Sequence, residues 1–181
     1  MGNLEPRKDL PTLISAYQLL PQKIKDEYSL VLAGGDGWKT EKSREAIKQA
    51  QKNGEKVIHV GFVDAKDASA FYQQASLFVM PSIYEGFGIP ILEALISGTP
   101  VIASDIPVLH EAGGDAVLYA KPGNPIDFSE KIIKIITSKK LSDELKSKAP
   151  SQLTKFSWDK NVKTILEKVK ELNDHNDHAN G

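Results

Sequence analysis

Apolar positions along the chain switch repeatedly between a helical and an extended period. After Asp9, a cap-type residue, Leu10, Leu13, Ile14, Tyr17 and Leu20 recur at helical spacing until Pro21. Residues 28–33 (YSLVLA) read as a strand, and Gly34-Gly35-Asp36-Gly37 as a plain turn. A polar helix over 41–53 places Ala46, Ile47 and Ala50 on one face, with Gly54 ending it. Residues 57–63 (VIHVGFV) form the next strand. Asp64 then caps a helix with Ala68, Phe71, Tyr72 and Ala75 inward. Residues 77–80 (LFVM) are apolar throughout, as suits a sheet covered on both faces.

The second half repeats the alternation. Pro90 sits at the first position of a helix that continues through Glu93 to Ser97 and ends at Gly98. Residues 100–103 and 117–120 are apolar strands. Asn124-Pro125 opens a helix that buries Phe128, Ile132, Ile135 and Ile136. A further helix is expected over 142–149, broken by Pro150, and a last one from Ser157 to Leu172. Residues 173–181 are polar without periodicity and read as a disordered tail. Short strands alternating with helices predict one α/β domain over 1–172. Its expected form is a doubly wound, Rossmann-like parallel sheet flanked by helices.

Composition narrows the chemistry. With 23 basic against 24 acidic side chains the net charge is −1, which argues against nucleic acid as the main partner. The absence of cysteine excludes disulfides, thiolate metal sites and cysteine nucleophiles. No apolar run suffices to span a bilayer, and the start of the chain has no signal-peptide core, so a cytoplasmic location is expected. The four histidines have no ligand-spaced partners, and no metal site is expected.

Ligands of such a sheet bind outside the carboxyl ends of its strands. Residues 81–90 (PSIYEGFGIP) leave a strand, pass through a glycine-containing loop and enter a helix. Gly86 and Gly88 let backbone N–H groups approach a ligand, and the helix start favours an anion. Glu85 in the loop and Glu93 one turn inside the helix could accept from sugar hydroxyls; the same pattern also fits a solvated loop and a polar helix face. Arg7-Lys8 could grip a diphosphate, the first as a fork and the second as a point charge, or could be a solvated basic pair.

Taken together, residues 2–21, 30–35, 57–63 and 77–105 resemble the retaining, nucleotide-sugar-dependent glycosyltransferases of the GT-B fold, group-one family. The strongest element is Glu85 and Glu93 with seven residues between them, around Gly86-Phe87-Gly88. Arg7-Lys8 is a second match. The resemblance is to the donor-binding C-terminal half. It implies that Arg7 and Lys8 hold the donor diphosphate and that Glu85 bonds the transferred sugar. It also implies that Gly86, Phe87, Gly88 and Ile89 line sugar and phosphates, that Glu93 binds the ribose, and that Val63 lies near the base.

The implied reaction transfers a hexose, with retention, from a GDP- or UDP-linked co-substrate to a saccharide or lipid-linked acceptor, without a resident cofactor. The pattern looks most like mannosyl-type members making bacterial surface polysaccharide. The acceptor would be held by a separate N-terminal half, so the isolated chain is expected to be inactive, and the full-length enzyme to be membrane-peripheral. The family's first donor-half strand has no counterpart before Gly2-Asn3, so a gap is expected in the sheet. A nucleotide-sugar-binding fragment without turnover and a GT-B epimerase relative are the alternatives.

Overall fold

A computed structural model of the chain describes residues 1–156 and 166–168. Pro6–Lys8 form a 3-10 turn, followed by helices α1 (Leu10–Gln18) and α2 (Gln22–Glu27). Then come β1 (Leu30–Ala33), α3 (Glu41–Lys52), β2 (Val57–Gly61), α4 (Ala65–Gln74), β3 (Phe78–Met80) and α5 (Ile89–Ile96). The rest is β4 (Val101–Ser104), α6 (Pro107–Gly113), β5 (Val117–Ala120), α7 (Pro125–Thr137) and α8 (Lys139–Leu153). The expected helix over 157–172 and the tail over 173–181 lie outside the described residues, except 166–168, which are helical.

Among the described residues all strand pairings are parallel, in two sheets: β1 with β2, and β3-β4-β5. The gap expected from the resemblance lies between β1 and β3. β4 shows why its sequence is apolar throughout. Ile102 joins a core with Leu13, Tyr17, Phe128 and Ile132 on one face. Val101 and Ala103 join Met80, Ile91, Leu109 and Ala112 on the other. Successive residues point to opposite faces, and here both faces are covered.

Local chemistry explains most boundaries and corrects a few. Asn124 caps α7, its side chain accepting from the N–H groups of Ile126 at 3.1 Å and Asp127 at 3.2 Å. Gly98 follows α5 with φ of +73°, a backbone that favours glycine. Gly88, not Ile89, is the cap of α5, so Pro90 occupies the second helical position. The strand expected over 57–63 stops at Gly61, whose φ of +72° turns the chain out of the sheet.

Pro150 does not break its helix: α8 starts at Lys139, capped by Ser138, and runs to Leu153. The lost N–H falls in the last turns, where Leu145, Ala149 and Gln152 are buried. The Gln152 amide also donates to the carbonyls of Glu111 at 2.8 Å and Ala112 at 3.0 Å. These long-range contacts outweigh one missing backbone bond. Among the described residues no helix is long and apolar enough to cross a membrane.

Candidate functional site

The site is assembled on the segment between Gly2 and Lys8. The Gly2 N–H donates to Ala33 O at 2.9 Å, and the Leu4 N–H to Gly35 O at 2.9 Å. Arg7 O accepts from the Ile83 N–H at 2.8 Å. The segment is therefore stitched across the carboxyl ends of β1 and β3. Leu4 is only 1% exposed and anchors it in the core. The residues following β1 are not a plain turn. A Cβ on Gly34 would lie 1.9 Å from Gly2 O, and one on Gly37 would lie 2.5 Å from the Glu5 side chain. The glycines are a bed on which residues 2–5 lie.

This path delivers two cations to one carboxylate. Arg7 Nη1 donates to Glu85 Oε2 at 2.6 Å, and Lys8 Nζ donates to Glu85 Oε1 at 2.6 Å. Arg7 Nε donates to Glu5 Oε2 at 2.8 Å, so the guanidinium bridges two carboxylates. Glu85 is the least exposed of the clamped pair groups, its side chain 8% accessible against 12% for Lys8. Burial pushes the Glu85 pKa up, but the bonds from Lys8 and Arg7, helped by the Ser82 hydroxyl close by, bring it below the usual carboxylate value. The Arg7 pKa is raised, its two carboxylate partners outweighing burial. Ser82 is fully buried beside Glu85, yet its hydroxyl makes no well-formed hydrogen bond.

Glu93 stands apart from this cluster. It accepts from the Tyr72 hydroxyl at 2.8 Å. Tyr72 is fixed in turn by an edge-to-face contact with Phe78, ring centroids 5.2 Å apart, and by Thr99 Oγ1 donating to its carbonyl at 2.5 Å. Burial, then bonding to Glu93, pushes the Tyr72 phenol pKa well up. Val63 is half-buried in the loop after β2.

The two loop glycines differ. A Cβ on Gly88, at φ of +96°, would meet Leu109 at 2.9 Å and Ala112 at 3.3 Å; a Cβ on Gly86 would meet nothing within 4 Å. Phe87 packs edge-on against Phe156, centroids 5.5 Å apart, and Ile89 is exposed. Gly88→Ala is expected to cost about 1–3 kcal/mol of stability from backbone strain and crowding. Gly86→Ala should leave the melt within a degree or two, about the noise of an exposed substitution. Thermal unfolding of both variants checks this.

Sequence reasoning did not assign Glu5, Tyr72 or Ser82 to the site. The signal for Tyr72 was available, since a buried tyrosine hydroxyl needs a partner. Glu5 lies two positions from Arg7 and Ser82 three positions from Glu85, so both were within reach of a local reading.

Comparison with known proteins decides what carries this arrangement. The family model described as glycosyl transferases group 1 matches residues 1–152. The chain belongs to the group 1 glycosyl transferases. It is 35% identical over 159 residues to the O-antigen chain mannosyltransferase B of Escherichia coli, an alignment covering 88% of this chain and 42% of that protein. The chain thus spans about two-fifths of that curated relative.

Two solved structures match the fold. One is an Anabaena protein in complex with UDP-glucose: TM-score 0.82, 22% identity, 94% of this chain and 48% of that chain. The other is the C-terminal domain of a group 1 glycosyl transferase from Francisella tularensis: TM-score 0.75, 22% identity, 86% of this chain and 82% of that chain. The group 1 domain described here is thus a Rossmann-like half of the GT-B type, corresponding to the C-terminal half.

Proposed function

We propose that this domain binds a nucleotide diphosphate hexose and forms the donor side of a retaining hexosyl transfer, the acceptor being held by a separate half. The observation that carries the reading is the clamp of Arg7 and Lys8 on Glu85, set between the carboxyl ends of β1 and β3 and the start of α5. Two cations and an oriented carboxylate at a helix N-terminus suit a ligand that is an anion at one end and a polyol at the other.

The clamp also suggests the order of events. Without ligand, Glu85 neutralises Arg7 and Lys8. An arriving diphosphate competes for both cations, which frees the Glu85 oxygens to accept from the sugar hydroxyls. Gly86, with open space where a Cβ would project, lets the loop backbone reach the sugar and phosphates alongside Phe87, Gly88 and Ile89. Glu93, oriented by Tyr72, takes the ribose hydroxyls, and Val63 lies towards the base.

When the bond between sugar and diphosphate breaks, negative charge grows on the departing phosphate and positive charge on the sugar ring. Arg7, Lys8 and the first turn of α5 stabilise the former. Such pre-set electrostatics are commonly the largest catalytic contribution. The co-substrate is a GDP- or UDP-linked hexose, supported by the mannosyltransferase relative and by the UDP-glucose complex of the Anabaena structure. The acceptor class, a saccharide or lipid-linked saccharide, rests on the named O-antigen relative.

The test is a thermal melt of the 181-residue chain with GDP, UDP or ADP. A nucleotide at 100 times its dissociation constant adds ~2.7 kcal/mol. One of the three should raise the melting temperature and so identify the base. A cooperative melt that none of them shifts would overturn the reading.

A further inference from the structure

Ser82 is fully buried in the loop after β3, and its hydroxyl makes no well-formed hydrogen bond. Leaving a buried hydroxyl unpaired is costly, and folded proteins seldom do so without a reason. The Glu85 carboxylate lies close by. Each of its oxygens is held by a cation, Oε2 by Arg7 and Oε1 by Lys8, both at 2.6 Å. The serine therefore stands beside an acceptor that stronger, charged donors occupy.

That balance changes when the cations leave. A diphosphate that draws off Arg7 and Lys8 strips both charged donors from a carboxylate whose side chain is only 8% exposed. An ionised carboxylate so placed needs replacement donors. Ligand hydroxyls can approach from the open side. On the protein side Ser82 is at hand, and its proton swings about the Cβ–Oγ bond without any movement of the chain. Its place does not depend on the clamp of side chains. The next residue, Ile83, donates its N–H to the Arg7 carbonyl at 2.8 Å, a backbone link that release of the Arg7 guanidinium leaves intact.

We propose that Ser82 is a positioning residue for the transferred sugar: once the diphosphate has taken Arg7 and Lys8, its hydroxyl donates to Glu85 and aims that carboxylate at the sugar hydroxyls. The inference rests on the nucleotide-sugar reading and adds a group that acts only in the loaded site. A fully buried Ser82 does not touch the ligand, so its effect on the sugar passes through Glu85. Two consequences set it apart from a serine that merely supports the loop. Its removal is felt by the sugar and not by the nucleotide, and in the free domain its removal breaks no bond.

The test titrates GDP, GDP-mannose, UDP and UDP-glucose calorimetrically into the full chain and into Ser82→Ala. For the pair that binds, the substitution should leave the affinity for the nucleoside diphosphate within about twofold. It should weaken binding of the nucleotide sugar about tenfold, the weight of one hydrogen bond to a charged group. The unliganded variant should melt at the same temperature as the unsubstituted chain or higher. An unchanged ratio of the two dissociation constants would overturn the proposal and leave the nucleotide-sugar reading standing. A lower melting temperature of the free variant would also overturn it, since the hydroxyl would then already be bonded without ligand. Failure of the unsubstituted chain to bind any of the four would remove both readings together.

Discussion

Replacing Lys8 by alanine is expected to weaken nucleotide binding by about 10- to 100-fold, the equivalent of one charged hydrogen bond at ~1.5–3 kcal/mol. The proposed role of Lys8 is to meet a phosphate, but in the free domain its partner is Glu85, at 2.6 Å. The substitution therefore also leaves a mostly buried carboxylate with only Arg7. That should lower stability by about 1–3 kcal/mol. The two consequences can be separated. Adding Glu85→Gln to Lys8→Ala removes the uncompensated charge, so the melt should recover in part while nucleotide affinity stays low. If the double variant regained affinity along with stability, Lys8 would be a positioning group for the loop and not a phosphate ligand. Isothermal titration beside a urea melt gives both readouts.

Gly34→Ala is expected to have the largest effect on the fold. The added carbon would sit 1.9 Å from the Gly2 carbonyl oxygen, a backbone atom with no rotamer to escape into. Relief requires lifting the segment at Gly2. Lifting it sacrifices the bonds to Ala33 and Gly35 and exposes Leu4. Two backbone bonds at ~1 kcal/mol each and a leucine at ~2 kcal/mol amount to about 3–5 kcal/mol. For a chain of this size that is roughly 10 °C in melting temperature. Because Arg7 and Lys8 ride on the same segment, nucleotide binding should fall with it. Gly35→Ala is the control: its Cβ would meet nothing closer than 3.8 Å, and the melt should barely move.

The elements that sequence pattern located well are those whose environment is uniform. β4 is buried at every position, and its apolar run announced that. α7 carried both its cap, Asn124-Pro125, and its buried stripe in contiguous sequence. Pattern failed where a distant contact overrides a local rule. Pro150 stays helical because Gln152 is bonded to α6, some forty positions away in the chain. The glycines after β1 looked like an ordinary turn because the segment that lies on them is thirty residues upstream.

The division of the sheet was legible only through the resemblance, since no periodicity reports a missing neighbour. The site followed the same division. Arg7, Lys8 and Glu85 each carried a local signal, but their meeting is a property of the fold. Glu93 was placed by type, and the tyrosine that orients it was read as core alone. Ser82 lies only three positions before Glu85, but its full burial there is set by the fold and not by the loop sequence.

The ring of Phe156 has a practical implication for anyone building hybrid enzymes from this domain. The recognisable family region closes at residue 152, and a recombination point chosen by similarity would fall there. Phe87, in the middle of the glutamate-bearing loop, rests on a ring four residues beyond that point. A chimera joined at 152 keeps every strand and every candidate ligand of the donor, yet supplies a stranger's side chain beneath the loop. The aromatic pair moves the earliest joint that keeps the loop's support to a point after Phe156.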